Sequence, residues 1–170
     1  MTQKKPRSAV RARLNGYWRM EAANVVLVPG VAILLVHRAG GSVSAAVWVA
    51  AGACAALLVI GALYWRAALR QIEGAPGVLA YWIPRLAQAE LPALALTGAA
   101  VALSAAELVH ANGSWTPSAI GAVGLTVLAI LEYINYYKIQ LQHFDNWSDF
   151  RRLLSGKGLR TGWLRRESPG

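Results

Sequence analysis

Four long apolar segments decide what this chain can fold into. A helix needs roughly 20 apolar residues to cross the hydrocarbon core of a bilayer, and the chain has such runs at residues 18–36, 44–65, 83–108 and 118–137. Only 15% of its 170 residues are charged, against about 25% in a soluble domain. Backbone groups in lipid must be paired within their own segment, so we predict an all-α polytopic membrane protein built as a four-transmembrane-helix bundle.

The apolar segments divide the chain into three predicted regions. Residues 1–17 form a basic N-terminal tail, residues 18–137 hold the four spans, and residues 138–170 form a basic C-terminal tail. The connections between the spans are short and contain glycine and proline as breakers. Consecutive spans therefore cross the membrane in opposite directions.

Basic residues are distributed unequally between the two sides of the predicted bundle. Six of the seventeen lie at or before the start of the first span, three lie around the middle connection and seven follow the fourth span. Arg38 alone lies on the other side. Cytoplasmic loops carry the excess of Lys and Arg, so we predict that both termini are cytoplasmic, in a bacterial inner (plasma) membrane.

The six tyrosines follow the same distribution, because all of them lie on the predicted cytoplasmic side. Aromatic rings anchor spans at the headgroup level, where one end of the ring is apolar and the other is wet. We therefore interpret Tyr133, Tyr136 and Tyr137, at the end of the fourth span, first as belt residues. The alternative is that Tyr136 faces inward and lines a pocket.

Polar residues in the cytoplasmic halves of the spans predict a polar layer between the helices. Ionisable groups inside a span usually face the bundle interior or a water-filled cavity. Glu132, Asn135 and Tyr136 follow i, i+3, i+4 spacing and share a helix face, and we expect Glu132 to be neutral or to pair with Arg66 or Arg85. The candidate layer comprises Glu21, Asn24, Arg66, Arg85, Gln88, Glu90, Glu132, Asn135 and Tyr136.

This layer has three interpretations from the sequence. It is a hydrogen-bonded layer that fixes helix register, a cytoplasm-facing pocket for a cation or a small polar ligand, or a catalytic centre. No histidine, cysteine and carboxylate spacing resembles a metal site, and no nucleophile motif is present. We expect a binding or accessory protein without metal or cofactor. A small proton- or cation-linked transporter and a membrane enzyme acting on a lipid or isoprenoid are the alternatives, with no catalytic residue assigned.

The C-terminal tail has an amphipathic pattern. Apolar and aromatic residues recur at helical spacing beside arginines, which is typical of an interfacial helix on anionic phospholipid. The tail's role in orientation favours lipid over nucleic acid as its partner. The predicted lipid-surface residues are Trp147, Phe150, Arg151, Arg152, Trp163, Arg165 and Arg166.

Small residues at a spacing of four in the second span permit close helix packing. They are Ala46, Ala50 and Cys54. Such a stripe serves either packing within the bundle or a contact with another chain. We therefore expect a homo-oligomer or a larger membrane complex as a further partnership of this protein.

Overall fold

The computed structural model describes residues 4–141 together with Gly162 and Leu164, and the side chains of these residues from Ser8 onward. This part of the chain is all-helical and contains no strand. Its elements are α1 (Lys4–Arg38), α2 (Ala45–Ile72), α3 (Val78–Gln88), α4 (Glu90–His110) and α5 (Pro117–Tyr133), followed by a π-helical turn (Ile134–Lys138).

Four helices in the described part of the chain are long and apolar enough to cross a membrane. They are Ser8–Arg38 within α1, all of α2, all of α4, and Pro117–Lys138, which joins α5 to the π-helical turn. The predicted all-α class and the number of candidate spans are therefore confirmed. The predicted interfacial helix, with Trp147, Phe150, Arg151, Arg152, Trp163, Arg165 and Arg166, lies outside the described residues.

The third span begins later than the sequence predicts. In place of one segment over residues 83–108, the chain forms α3, breaks at Ala89 and starts again as α4 at Glu90. Pro92 explains the break, because proline has no N–H to donate to the carbonyl of Gln88 and its ring crowds that carbonyl. In the first turn of α4 the missing donor costs nothing, since those N–H groups have no partner within the helix.

The predicted N-terminal tail is helical from Lys4 and continues directly into the first span. The 35 residues of α1 extend over about 50 Å at 1.5 Å per residue, which exceeds the thickness of a bilayer core. Near the start of α1, Arg11 forms an ion pair with Glu73 at 2.8 Å, just after the end of α2. The early part of α1 is therefore held against the connection between α2 and α3.

The bundle has two ends that differ in chemistry. We call the end with residues 73–77 the basic end, and the end with residues 39–44 and 111–116 the distal end. At the distal end, Ser44 and Thr116 cap α2 and α5 through their side-chain oxygens. Ser118 donates a hydrogen bond to Ser44 at 3.0 Å, which joins the starts of these two helices.

The helix α2 lies at the centre and contacts every other helix. Its small residues Ala46, Ala50 and Cys54 are all buried in the core. Their spacing therefore serves packing within the bundle, and it does not form an exposed face for a second chain. Near the basic end, Leu164 joins the same core, and the N–H of Gly162 donates to the carbonyl of Lys138 at 2.9 Å.

Candidate functional site

A tyrosine and a glutamate from opposite ends of the chain meet inside the bundle. The hydroxyl of Tyr136, in the π-helical turn, donates to Oε1 of Glu21 on α1 at 2.9 Å. Tyr136 is 0% exposed and Glu21 only 4%. A buried carboxylate needs hydrogen-bond donors to offset its lost hydration, and Tyr136 supplies one of them.

The central helix α2 is shaped around this contact. Gly61 lies directly under the phenol of Tyr136, and a Cβ at that position would overlap the hydroxyl. One turn further along α2, the indole of Trp65 also hydrogen-bonds to Tyr136. Gly61 therefore leaves room for the tyrosine between α1 and α2, and the indole of Trp65 donates a hydrogen bond to it.

A second carboxylate lies close to Glu21. Glu132 forms a hydrogen bond with the side chain of Asn135, and it is near enough to Glu21 for charges on the two acids to repel each other. Asn135 in turn accepts a hydrogen bond from the N–H of Leu141 at 2.9 Å. The Oε2 atom of Glu132 is buried and has no hydrogen-bond partner among the described residues.

Two further side chains add to this buried region. Cys54 on α2 is buried and within electrostatic reach of both Glu21 and Glu132. Gln140, two residues after the π-helical turn, is buried, and its Oε1 atom has no partner in the described part of the chain. We use the name acid layer for Glu21, Glu132, Asn135 and Tyr136.

The π-helical turn explains how so many polar side chains turn inward. The N–H of Ile139 bonds to the carbonyl of Ile134 at 2.8 Å, five residues back, so the last turn is wider than an α-helical turn. Asn135, Tyr136 and Tyr137 are all buried in this turn. Such wide turns occur frequently at functional sites, because they redirect side chains without ending the helix.

A separate polar cluster surrounds Glu90 at the start of α4. Its Oε1 atom accepts hydrogen bonds from Lys138 at 2.6 Å and from Tyr133 at 3.2 Å. Tyr137 packs against Tyr133 with ring centroids 5.3 Å apart, and its hydroxyl donates to the carbonyl of Leu86 at 2.9 Å. That carbonyl lies just before the break at Ala89, so Tyr137 gives it a buried donor.

These positions overturn the interpretation of the three late tyrosines as belt residues. Tyr133, Tyr136 and Tyr137 are all buried, and each hydroxyl bonds to another helix. They are therefore contacts within the bundle. Tyr81, which is 53% exposed on α3, has the exposure that a belt residue requires.

The structure brings together part of the predicted polar layer. Glu21, Glu132, Asn135 and Tyr136 are adjacent, Glu90 belongs to the separate cluster with Lys138, and Asn24 is half-buried one turn beyond Glu21 on α1. Gln88 is exposed at the last position of α3.

The two arginines expected to pair with Glu132 lie elsewhere. Arg66 is exposed and stacks over the ring of Trp18 at 5.0 Å. Arg85 is exposed, lies 3.5 Å from the ring centroid of Tyr81 and donates to the carbonyl of that residue at 2.7 Å. Stacking at the surface keeps a guanidinium hydrated on one side, whereas burial beside Glu132 would remove its water.

The acid layer therefore contains two carboxyl groups and no basic side chain among the described residues. Glu21 is buried and Glu132 is half-buried, and two like charges in such a place are costly to hold together. A proton, a cation or another hydrogen-bond donor between Glu21 and Glu132 would remove the repulsion. No three His, Cys, Asp or Glu residues within the described ranges are grouped as metal ligands would be.

Comparison with family models, with curated proteins and with solved structures finds no match for this chain. The function must therefore be argued from the site itself.

Proposed function

We propose that this chain is an integral membrane binding or accessory protein whose acid layer takes up a small cation or a proton between Glu21 and Glu132. The observation that carries the proposal is the Oε2 atom of Glu132, which is buried without a donor beside a second buried carboxyl group. Buried polar atoms in folded proteins are almost always satisfied. A bound cation or a proton meets that requirement.

The partners already present support this assignment. Glu21 receives a hydrogen bond from Tyr136, and Glu132 forms one with Asn135. These contacts orient both carboxyl groups while leaving one oxygen atom open. A layer that served helix register alone would leave no buried carboxylate oxygen without a donor, as buried polar atoms normally require.

Orientation and location form part of the same proposal. From the excess of Lys and Arg we infer that both termini lie in the cytoplasm of a bacterial cell, with the chain in the inner (plasma) membrane. The basic end of the bundle then faces the cytoplasm, and the acid layer lies in the cytoplasmic half of the membrane. Protons or cations would enter from that side. The basic C-terminal tail would lie on anionic phospholipid.

A small proton- or cation-linked transporter is the second candidate. Glu21 belongs to α1 and Glu132 to α5, and these two helices contact each other and α2. Occupancy of the site would change a contact between separate helices, which favours a transported ion. Ionisable residues inside spans are frequent in proton and ion pathways. A membrane enzyme acting on a lipid or isoprenoid has no comparable observation in its favour within the described residues.

The experiment uses the full chain in lipid nanodiscs and three proteins: wild type, Glu132→Gln and Glu107→Gln. Glu107 lies near the distal end of α4 and serves as the matched carboxyl control. Infrared difference spectra are recorded across a pH titration and on adding Na⁺ or K⁺. We expect a carboxyl signal that responds to pH or to the cation in wild type and in Glu107→Gln, and that is lost in Glu132→Gln.

The outcomes separate the candidates. If Glu132→Gln leaves every carboxyl signal unchanged, the acid layer binds neither proton nor cation and the proposal is wrong. If the signal is present, proteoliposomes containing a pH-sensitive dye show whether the ion crosses the membrane. Ion flux in wild type that is absent in Glu132→Gln identifies the transporter, and binding without flux identifies the accessory protein.

A further inference from the structure

An apolar groove of about 730 Å³ runs between α1 and α5 on the distal half of the bundle. Every residue that lines it is apolar. The walls include Leu27, Val31 and Leu35 from α1 and Ile120, Gly124 and Leu128 from α5. The groove therefore has no polar group in its lining, unlike the acid layer, and it has no role in the proposed function.

The groove is open along one side. Gly124 has no atom within 4 Å of the position where a Cβ would lie, so nothing fills the space beside it. Leu27 and Leu35 on the facing helix are largely exposed. Nearer the distal end, Val36 packs against Gly121 and holds the two helices together. The groove thus has a closed floor and an open side.

We propose that this groove binds the acyl chains of one anionic phospholipid from the leaflet at the distal end. Its length supports this occupant. The lining extends along α1 from Leu27 to Ala39, which is about 18 Å at 1.5 Å per residue. One leaflet contributes about half of a 30 Å hydrocarbon core, or about 15 Å. The groove and the leaflet are therefore matched in depth.

The shape of the groove suits a flexible occupant. Val36 against Gly121 closes its floor, and its side is open beside Gly124, so an acyl chain can enter from the surrounding lipid. The fully apolar lining offers no hydrogen bond to a polar ligand.

Charge at the distal mouth of the groove supports an anionic headgroup. Arg38, the only Lys or Arg of the chain assigned to the distal side, is exposed directly before Ala39, which lines the groove. Pro117 lines the same mouth at the first position of α5. The mouth holds both the N-terminus of α5, already capped by Thr116, and the C-terminus of α1, whose partial charges have opposite signs, so the guanidinium of Arg38 is the charge that favours phosphate. The acidic Glu107 lies on α4, which contributes no residue to the lining.

The test compares lipid retention in two matched variants. Gly124→Phe places a ring in the groove, whereas Gly98→Phe places the same ring on α4, where the Cβ position is equally open. Each protein is incubated in nanodiscs that contain phosphatidylglycerol and phosphatidylcholine with identical chains. It is then released into detergent and analysed by native mass spectrometry. We expect one retained phospholipid per wild-type chain and per Gly98→Phe chain, and about tenfold lower retention in Gly124→Phe.

Two more variants keep the test decisive. Ile120→Trp fills the groove from an already exposed wall residue, so it replaces Gly124→Phe if that variant does not fold. Arg38→Gln should still retain lipid, but its preference for phosphatidylglycerol should fall about fivefold, as expected for one charge near the surface.

Three results would overturn the inference. They are no retained lipid in wild type, equal retention in the groove-filling variants and in Gly98→Phe, or a dimer of the chain that disappears in the groove-filling variants. The third result would identify a second copy as the occupant. An unchanged phosphatidylglycerol preference in Arg38→Gln would remove the headgroup part.

Discussion

The hydroxyl of Tyr136 donates to Glu21 at 2.9 Å, which joins two residues that lie 115 positions apart in the chain. One belongs to the first membrane-spanning helix and the other to the turn that ends the last one. Both are buried against the central helix. This hydrogen bond connects the first helix of the bundle to the end of the last one, within the acid layer.

Replacing Tyr136 by Phe tests the value of that bond. The substitution keeps the ring but leaves the buried carboxyl group of Glu21 without its donor, which should cost about 1–3 kcal/mol of unfolding free energy. Tyr81→Phe is the control, because Tyr81 is largely exposed on α3. Unfolding in mixed micelles with increasing sodium dodecyl sulfate measures both variants. Equal stability of the two would show that Tyr136 does not stabilise Glu21.

Two glycines on the central helix provide a test of shape. Gly61→Ala should destabilise the protein by about 1–3 kcal/mol, the usual cost of overfilling a packed core, because the new methyl group would overlap the hydroxyl of Tyr136. Gly52→Ala, on the same helix with open space at its Cβ position, should be neutral or stabilising by up to about 1 kcal/mol.

The same unfolding assay compares these two variants, and combining Gly61→Ala with Tyr136→Phe adds a second measurement. Phe lacks the hydroxyl, which is the atom nearest to the new methyl group, although its ring carbon Cζ still lies 2.5 Å from the Cβ position. The double variant should therefore be somewhat more stable than the sum of the single effects predicts. Strict additivity would show that the ring and not the hydroxyl makes the clash.

Helical spacing predicted which three polar residues share one direction. Glu132, Asn135 and Tyr136 share a face by i, i+3, i+4 spacing, and the structure turns all three toward the bundle. Their shared direction follows from helix geometry and needs no knowledge of the neighbouring helices. The same reasoning does not extend to Glu21, which lies in the opening turns of its span, where a charge costs little; its burial against Tyr136 is a finding of the structure.

The partners of these residues could not be read from the sequence. An arginine near a span boundary is equally compatible with an inward ion pair and with stacking on a surface aromatic ring, and Arg66 stacks on Trp18. Gly61 could have been suspected, because glycine inside a span often marks a close helix contact. The contact of Tyr137 with Leu86 depends on the helix break at Ala89, which a single proline signalled only indirectly.

Membrane topology is tested with a reporter enzyme that is active only in the periplasm. Fusions at Gly41 and Gly113 should be active, whereas fusions at Gly74 and Gly170 should be inactive, because sixteen of the seventeen basic residues are assigned to the cytoplasmic side. Immunoblots confirm that all four fusions are expressed. Activity at Gly74 would contradict the orientation, and with it the proposal that the acid layer faces the cytoplasm.

The cluster around Glu90 allows a comparison between an exposed ion pair and a buried hydrogen bond. Lys138 and Glu90 pair at 2.6 Å, but their side chains are 45% and 40% exposed. Lys138→Met should therefore leave the unfolding free energy close to that of wild type. Tyr137→Phe removes one donor of a buried hydrogen bond to the carbonyl of Leu86, which keeps the N–H of Ala89 as the other, and it should cost about 0.5–1.5 kcal/mol.

The effect of Tyr137→Phe should also be local. The carbonyl of Leu86 lies beside the break between α3 and α4 and also accepts from the N–H of Ala89 at 3.2 Å. Losing the hydroxyl of Tyr137 as its second donor should therefore loosen α3 before the spanning helices. Hydrogen exchange in nanodiscs should be faster in residues 78–88 of Tyr137→Phe than in wild type, with little change in α2. The exchange pattern of Lys138→Met should match wild type in α3, because Tyr137 still donates to Leu86. Faster exchange throughout the bundle in Tyr137→Phe would show that Tyr137 supports the whole core and not the helix break alone.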